Sequence, residues 1–469
     1  MRSVKFVKAA TLPGWTYLRI SMQSAPNQWR SDEDFSRKVN ELQSKVSELG
    51  ISVSNCMSGL HINVNAQNFE VQVDNALHKF AISARRPKLV LVIIPRENAS
   101  IYNRVKYICD VKEGMLNVCV SDAKFCKANP QYLANVGLKI NLKLGGINHS
   151  LDQSHIKFLQ LKKTMVVGID VTHPSPGSSS NAPSVAGIVA SVDEHLGQWP
   201  AEIRIQKSRQ EDVADLDVLF KSRLLVWKNK NNNALPENVL VYRDGVSEGQ
   251  YDKVLTIELP ALQKACTEVY PAPSTKAGLP RISIIIVGKR HNTRFYPTKK
   301  EDADRGGNPP NGTIVDRGVT EARNWDFFLQ AHAAIQGTAR PAHYYVVYDQ
   351  IFRGLMAKAP AAGVPHFASA ADALEDLTHN MCYLFGRATK AVSVCPPAYY
   401  ADLVCTRARC YLSGLFDPSS LSSPMASSAG DASSVSTGGG GGAATAASHL
   451  QDGSMVSIHP NVKNAMFYI

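Results

Sequence analysis

Short apolar runs rich in β-branched residues alternate along this chain with segments of helical periodicity. Two of the runs, Leu89–Ile94 and Ile282–Val287, suit buried parallel strands and fall far short of the ~20 apolar residues that a membrane-spanning helix needs. In contrast, residues 33–49 and 130–144 repeat apolar side chains at helical spacing. Strands that alternate with helices predict an α/β fold built on doubly wound sheets.

The alternation divides into two units at residues 147–163, which are polar and irregular. The second unit contains a helix with one apolar face around residues 213–227, and a late helix at Pro396–Tyr411 with proline in its first turn. Its strands are predicted at residues 165–170, 184–191, 239–243, 282–287 and 344–348. We therefore expect two α/β domains in sequence.

A Ser-, Gly- and Ala-rich stretch interrupts the second unit near its end. Residues 418–448 contain a single charged residue, Asp431, and five consecutive glycines from Gly438. Such a segment cannot bury enough apolar surface to offset the entropy of ordering it. It predicts a disordered loop over about residues 418–453, before the chain resumes with an apolar end at Ala465–Ile469 that we expect to be buried.

The cysteine pattern and the N-terminus exclude several classes of protein. The nine cysteines include no Cys-x-x-Cys pair, so neither a zinc site nor a disulfide framework is predicted. The first residues have scattered charges and lack the apolar core of a signal peptide. We therefore expect an intracellular, cytoplasmic protein with no membrane partner.

Positive charge is concentrated in the first unit. The chain has 51 basic and 40 acidic residues, a net charge of +11, which favours a polyanionic partner. From Arg85 to Lys143 there are eleven basic and four acidic residues, so this segment supplies +7. Tyr102 and Lys106 share a helix face by their i, i+4 spacing, and Lys139 repeats that spacing with Lys143. Such convergence predicts a site for a terminal phosphate, although a solvated basic face would have the same spacing.

Two aspartates follow apolar strand residues in the second unit. Asp170 lies within one such run and Asp244 ends another, and a buried carboxylate is costly unless something compensates it. Side by side in one sheet they would favour a divalent cation, and hard oxygen ligands select Mg²⁺ or Mn²⁺. Asp402 on the late helix is the candidate for a third ligand. A helix cap or a surface ion pair is the alternative for each aspartate alone.

Six longer motifs stand out along the chain. They are Gly-Ile-Asp-Val-Thr-His-Pro (168–174), Tyr-Arg-Asp-Gly-Val-Ser-Glu-Gly-Gln (242–250), Lys-Arg-His-Asn-Thr-Arg (289–294), Ile-Gln-Gly-Thr-Ala-Arg-Pro (335–341), Pro-Ala-Tyr-Tyr-Ala-Asp (397–402) and Leu-Lys-Ile-Asn-Leu-Lys-Leu-Gly-Gly (138–146). The first five resemble the PIWI domain of eukaryotic Argonaute proteins, and the sixth resembles the end of that family's MID domain. The Asp at 402 and the Gly/Ser-rich insert look most like a fungal, quelling-type member.

The resemblance implies a Rossmann-like MID domain at residues 21–147 and an RNase H-like PIWI domain at residues 148–469. Residues 1–20 would be the end of the linker before MID, in the C-terminal half of a longer Argonaute.

The resemblance also implies a catalytic site. Asp170, Asp244 and Asp402 match the family's metal-binding triad, which would hold two Mg²⁺ or Mn²⁺ ions. Glu211 matches the glutamate that completes a catalytic tetrad, although an acid at the start of a predicted helix is expected merely to complement the helix dipole.

A second set of matches concerns the guide RNA. Five residues match those that hold the guide's 5′ phosphate: Tyr102, Lys106, Lys139, Lys143 and Arg407. Arg387 and Tyr399 match positions that contact the guide backbone. Val118 departs from the family, because it occupies a pocket position that is usually Gln and cannot donate a hydrogen bond. Either Asn117 substitutes for that Gln or one contact is lost.

Three functions remain open from the sequence. The first is guide-directed cleavage of complementary target RNA, with a 5′-phosphorylated small RNA as partner. The second is a guide-binding module that does not cleave and silences by recruiting silencing-complex proteins. The third is a transposase or integrase relative with the RNase H fold, which the basic first unit disfavours.

Overall fold

The computed structural model confirms the α/β class. It describes residues 4–23, 26–96, 98–161, 163–176, 178, 182–271, 278–356, 367–413 and 456–469. The loop predicted over 418–453 lies outside these residues. No helix in the described ranges is long and apolar enough to cross a membrane.

The first unit is a parallel sheet of four strands in the order β4-β2-β5-β6. The strands of this unit, including a small β1–β3 pair, are β1 (Thr11–Leu12), β2 (Trp15–Met22), β3 (Ser52–Val53), β4 (Leu60–Val64), β5 (Leu89–Ile94) and β6 (Leu116–Ser121). Its helices are α1 (Asp32–Glu48), α2 (Phe69–Ala81), α3 (Ala99–Tyr107), α4 (Asp122–Cys126) and α5 (Pro130–Lys143). Strand β5 has the predicted bounds and is buried along its whole length.

Strand β2 differs from the sequence interpretation. We assigned residues 1–20 to a linker, but β2 is an inner strand, bonded to β4 and β5. Its buried residues Leu18 and Ile20 pack in the first unit's core. The predicted boundary at residue 20 therefore cuts through a strand of the first unit. The mixed, aromatic-containing composition of residues 1–20 did not indicate this strand.

Local sequence explains the helix ends that position the first unit's cations. Asn129 accepts a hydrogen bond from the Tyr132 amide, and Pro130 follows it, so α5 begins there. The helix ends before Gly145, whose φ of +86° few other residues adopt. At the end of α3 the backbone widens into a π-turn, Ile108–Lys112, which carries Asp110 into the interior.

The second unit is an eight-stranded sheet in the order β12-β13-β14-β11-β10-β7-β8-β9. Its strands are β7 (Thr164–Thr172), β8 (Ser184–Ala190), β9 (Ala201–Gln206), β10 (Asn238–Asp244), β11 (Arg281–Gly288), β12 (Thr313–Val315), β13 (Asp326–Gln330) and β14 (Ala342–Asp349). The three central strands, β7, β10 and β11, run parallel, while the flanking strands pair antiparallel.

Helices cover both faces of this sheet. They are α6 (Gln153–Leu161), α7 (Leu216–Lys230), α8 (Tyr251–Lys253), α9 (Leu259–Val269), α10 (Phe352–Met356), α11 (Ala370–Met381), α12 (Pro396–Tyr411) and α13 (Pro460–Lys463). Single turns of other helix types lie at Ile108–Lys112, Glu248–Gln250, Val254–Glu258, Lys300–Asp302 and Cys382–Leu384. Helix α7 begins later than predicted, because Asp215 before it is left-handed with φ +50°.

The two faces of β7 have different roles because side chains alternate along a strand. Met165, Val167 and Ile169 join the core beneath α7 and α9. Val166 belongs to the opposite core, which includes α12. Asp170 has the same parity as Val166 and therefore faces α12.

The C-terminal segment joins the two units. The predicted burial of Ala465–Ile469 is confirmed for its last four residues, which are at most 5% exposed. Tyr468 donates its hydroxyl to the Trp199 carbonyl at 2.8 Å in the second unit. In the first unit, the His459 amide donates to the Asp110 carbonyl at 3.0 Å. The tail therefore contributes to the interface between the two sheets.

Candidate functional site

Asp170 and Asp244 lie side by side on adjacent strands. Arg243 of β10 pairs with Ile169 of β7 in a parallel register, so the next residue on each strand is an aspartate. Burial, and then the neighbouring carboxylate of Asp402, raises the pKa of Asp170 to about 6. Burial, and then Asp170, raises the pKa of Asp244 to about 7. Both shifts arise first from burial and then from a neighbouring carboxylate, and the charge of Arg243 offsets them only in part.

Helix α12 brings Asp402 to the same place. A Cβ atom on Gly168 would lie 1.9 Å from the Pro397 carbonyl oxygen, so only glycine lets the start of α12 approach β7 this closely. Further along the helix, the Cys405 thiol donates to the Asp170 carbonyl at 3.4 Å. Asp402 is more exposed than the other two aspartates; partial burial raises its pKa, and Arg290 opposes that shift.

Arg243 is the buried cation of this region. Its guanidinium donates to both carboxylate oxygens of Glu258, at 2.9 to 3.1 Å. It also donates to the Glu211 carbonyl at 2.7 Å and to the Asp244 carbonyl. Arg243 therefore ties the strand end that carries Asp244 to the loop that carries Glu211. Because Glu258 already pairs with Arg243, the guanidinium neutralises the aspartates only in part.

Glu211 lies in a loop before α7 and not at the helix start that the sequence predicted. Its Oε2 is 3.0 Å from His173 Nε2, and His173 Nδ1 shares a hydrogen bond of 2.8 Å with the Ser184 hydroxyl. The expectation that Glu211 complements the helix dipole is wrong, because the helix begins five residues later at Leu216. His173, to which the sequence gave no role, therefore lies beside the Glu211 carboxylate, although its Nε2 makes no hydrogen bond to the described residues.

The candidate metal ligands in this region are the carboxylate oxygens of the aspartates. The aspartates offer the hard oxygens that Mg²⁺ and Mn²⁺ prefer. Within the described part of the chain, however, no three His, Cys, Asp or Glu side chains are grouped closely enough to hold a metal ion. The carboxylates share one region, and the adjacent Asp170 and Asp244 fit a cation by their chemistry.

A cationic cavity of about 140 Å³ lies between the two units. Five predicted RNA-contacting residues line it: Tyr102, Lys106, Lys139, Arg387 and Arg407. Burial, and then Arg387, lowers the pKa of Lys139 to about 8. The structure thus brings together four of the five predicted phosphate ligands and one predicted backbone contact. This concentration of positive charge suits an anion.

Buried acceptors hold the cavity's cations in place. Arg407 donates to Asp110 Oδ2 at 2.9 Å and to the Phe467 carbonyl at 2.6 Å. Lys106 donates to the Asn117 amide oxygen, and Asn117 in turn donates to Asp110 Oδ1 at 2.9 Å. Asp110 is therefore the buried counter-charge of the cavity.

Sequence reasoning missed Asp110. Its signal was an acid four residues after Lys106, in a segment dominated by basic residues.

Two other predicted residues do not line the cavity. Lys143 does not line the cavity; its buried ammonium donates to the Phe467 carbonyl, and burial lowers its pKa well below the usual value. Tyr399 stacks on Phe385 with ring centroids 4.4 Å apart, away from the cavity lining.

At the position where the family usually has Gln, Val118 lines the cavity. Asn117 lies behind it, fully buried. Of the two alternatives for the Gln position, the structure favours the loss of one contact.

The fold and both sites together define a class. A Rossmann-like parallel sheet with a cationic cavity adjoins an RNase H-like sheet with three neighbouring aspartates. The family model described as "Piwi domain" matches residues 89–413. The chain belongs to this Piwi-domain family, that of the Argonaute proteins.

Individual Argonaute proteins are similar to this chain in sequence and in structure. Protein argonaute MEL1 of Oryza sativa subsp. japonica is 35% identical over 438 residues, which is 88% of this chain and 39% of that protein. The chain therefore spans about two fifths of that relative's length. The structure of Kluyveromyces polysporus Argonaute with a guide RNA has a TM-score of 0.79 and 28% identity, covering 100% of this chain and 52% of that one. The MID-PIWI domains of N. crassa QDE-2 have a TM-score of 0.66 and 31% identity, covering 99% and 100%.

Proposed function

We propose that this chain is the MID-PIWI part of an Argonaute that cleaves RNA complementary to a small guide RNA. The observation that carries the proposal is the meeting of Asp170, Asp244 and Asp402 at one edge of an RNase H-like sheet, with their pKa values raised. Carboxylates kept together against their mutual repulsion are expected where a cation must be bound. The Kluyveromyces neighbour, solved with a guide RNA, supports the same assignment.

In this proposal the guide's 5′ phosphate occupies the cationic cavity. Lys106, Lys139 and Arg407 supply charge, and the Tyr102 hydroxyl lies 3.2 Å from Arg407 Nη2. A terminal phosphate carries more charge than a diester, so a cluster of donors favours a strand end over a strand middle. Arg387, which lines the cavity, would contact the guide backbone, and Tyr399 would contact it outside the cavity.

The aspartates would hold Mg²⁺ or Mn²⁺, as two ions. When bound, these ions would activate a water molecule and stabilise the leaving oxygen of the phosphodiester. The chain's own contribution is orientation. Arg243 holds the strand end of Asp244 and the loop of Glu211. The Glu211 carboxylate, which lies beside His173, would orient water as a fourth acid.

The second candidate is a guide-binding module that does not cleave and acts by recruiting silencing-complex proteins. It is favoured by one observation, that the described residues contain no assembled group of three metal-binding side chains. We prefer cleavage, because a vestigial site would have no reason to keep three aspartates in mutual repulsion. We also propose a cytoplasmic, fungal quelling-type Argonaute, which the likeness to QDE-2 supports.

The deciding experiment uses the full chain loaded with a 5′-phosphorylated guide and an end-labelled complementary RNA. Cleavage at one position in Mg²⁺, abolished by a chelator, is the expected result. A target of scrambled sequence is the control for guidance. If the loaded chain retains the complementary target on a filter but leaves it intact, the second candidate is correct.

A further inference from the structure

The loop at residues 210–214, which carries the fourth acid of the proposed site, is bonded to buried side chains. Gln206, at the end of β9, donates its Nε2 to the Gln210 carbonyl at 2.7 Å and to the Asp212 carbonyl at 2.9 Å. Its Oε1 accepts a hydrogen bond of 3.1 Å from the Ala214 amide. Both ends of the Gln206 side-chain amide are therefore used on this loop.

Two other buried side chains hold the loop residues that Gln206 does not reach. The Arg243 guanidinium donates to the Glu211 carbonyl at 2.7 Å. The Val213 amide donates to Glu258 Oε1 at 3.4 Å. These two side chains and Gln206 are at most 7% exposed. Every residue of the loop therefore has a backbone group bonded to a buried side chain.

The elements on either side of the loop do not require this arrangement. Strand β9 is an edge strand of its sheet, where water is at hand for the backbone groups of a following loop. Helix α7 begins directly after the loop, but its N-cap residue Asp215 makes no side-chain cap hydrogen bond. The side chains of Gln206, Arg243 and Glu258, which together form a clamp, are therefore directed at the loop itself.

The clamp fixes the backbone at Glu211 but leaves the carboxylate open. The Glu211 side chain is 31% exposed and lies beside His173. A reacting group has to be placed closely, since an error of about 1 Å can cost about a hundredfold in rate. A fixed backbone with an accessible carboxylate suits a group that must be in place when a substrate binds.

We propose that Gln206 is a positioning residue for target cleavage. Through contacts within the chain itself, it fixes the loop backbone and so sets the place of the Glu211 carboxylate. Arg243 and Glu258 complete the clamp, but removing either would leave a buried charge without its partner. Gln206 is neutral, so it is the residue at which the clamp can be tested. The inference rests on the proposed function, in which Glu211 acts as the fourth acid.

The first test measures single-turnover cleavage by the guide-loaded full chain at saturating target. Gln206→Met removes the three hydrogen bonds to the loop and should slow cleavage by about a hundredfold. The half-saturating target concentration and the binding of the guide should not change, because Gln206 contacts neither RNA. An unchanged cleavage rate in Gln206→Met would overturn the proposal.

Asn231→Leu is the matched control. The Asn231 side-chain amide also donates to two carbonyls, those of Val192 and Trp227, but at the other end of α7. This variant should cleave at the rate of the unaltered chain. Equal slowing in Asn231→Leu and Gln206→Met would overturn the proposal, because the loss would then follow the removal of any such amide.

A double variant tests whether Gln206 acts through Glu211. In a chain that already carries Glu211→Gln, Gln206→Met should slow cleavage no further, since two residues that act as a unit are not additive. A second slowing of about a hundredfold would show that Gln206 acts on another group, and would overturn the proposal.

Hydrogen exchange tests the clamp without cleavage. In the unaltered chain, the Val213 and Ala214 amides should exchange more slowly than those of the exposed loop at residues 316–319, and Gln206→Met should speed exchange at Ala214. Fast exchange of both amides in the unaltered chain would overturn the clamp even if the chain cleaves. Slow exchange in a chain that cleaves no target would confirm the fixed loop and refute only the proposed function.

Discussion

The aspartate site and the cationic cavity both concentrate like charges, yet they resolve the repulsion differently. In the cavity, Arg407 and Lys106 are bound by built-in acceptors that centre on the buried Asp110. At the aspartates, the nearest buried cation, Arg243, is already paired with Glu258. The cavity is therefore preorganised by the chain itself, whereas the aspartates remain short of positive charge.

This difference indicates which kind of ligand each site requires. A cavity whose cations are fixed by internal acceptors can receive an anion with little rearrangement, which favours affinity. Aspartates with raised pKa values lose protons only when a cation arrives or the pH is high. The comparison predicts that perturbing the aspartates changes cleavage, while perturbing the cavity changes the recognition of the guide.

The largest expected effect comes from removing one aspartate. Asp170→Ala should reduce guided cleavage on the order of a thousandfold, the upper end for loss of one charge-stabilising group. Binding of the 5′-phosphorylated guide should stay nearly unchanged, because the cavity has its own counter-charges. The exposed Asp252→Asn is the matched control for cleavage. Equal loss of cleavage and of guide binding in Asp170→Ala would contradict the separation of the sites.

Two lysines on one helix test the cavity. Lys139→Ala removes a lining cation and should weaken binding of 5′-phosphorylated RNA by about 1.5–3 kcal/mol, with less effect on 5′-hydroxyl RNA. Lys143→Ala removes one of the two buried donors to the Phe467 carbonyl, the other being Arg407, and should instead lower the free energy of unfolding by about 0.5–1.5 kcal/mol. Filter binding and urea unfolding separate the two outcomes. A larger binding defect in Lys143→Ala would show that the lining is assigned wrongly.

The pH dependence of stability tests the shortage of positive charge at the aspartates. The folded-state pKa values of Asp170 and Asp244, about 6 and about 7, exceed the ordinary value of 3.8. The contribution of these two groups to the free energy of unfolding is therefore fully present below pH 3.8, the ordinary pKa of Asp, and is lost as the pH rises through about 6 to 7.

Without metal, Asp244→Asn should melt above the unaltered chain at pH 8, by about 1 °C for each kcal/mol regained, since the melting shift per kcal/mol falls as chain length rises. The difference should shrink below pH 6, as measured by thermal melting in chelator. A melting difference that does not change with pH would contradict the assigned shifts.

The smallest effect is expected at Val118. Gln in its place would offer the cavity a donor, and one net hydrogen bond contributes about 0.5–1.5 kcal/mol. Val118→Gln should therefore tighten binding of 5′-phosphorylated RNA by that amount. Val118→Leu, which adds size without a donor, is the control. Tightening in both variants would point to packing as the cause.

Short-range patterns predicted much of this fold. The six buried residues of β5 and the capped start of α5 follow from apolar runs and cap chemistry within a few positions. The meeting of Asp170 and Asp244 also followed, because Asp244 ends β10 and Asp170 lies beside it on the neighbouring parallel strand β7. In each case the deciding interactions are local or follow from the regular geometry of a parallel sheet.

Long-range contacts account for what the sequence could not predict. Lys143 was assigned to the phosphate because its spacing placed it on one face with Lys139. Its actual acceptor, the Phe467 carbonyl, lies 324 positions further along the chain. Glu211 was placed at a helix start, whereas a left-handed Asp215 delays the helix. Neither a distant carbonyl nor a local backbone inversion is visible in hydrophobic periodicity.

Helix α12 has a consequence for how such a protein can evolve. It carries Asp402 of the aspartate site and, five positions later, Arg407 of the cavity. At 1.5 Å per residue, these two residues are separated by a rise of about 7.5 Å along the helix axis. Inserting a single amino acid between them would turn one side chain by about 100° relative to the other. The close approach at Gly168 leaves this helix no room to slide in compensation. Insertions and deletions should therefore be tolerated in the surrounding loops and selected against between Asp402 and Arg407.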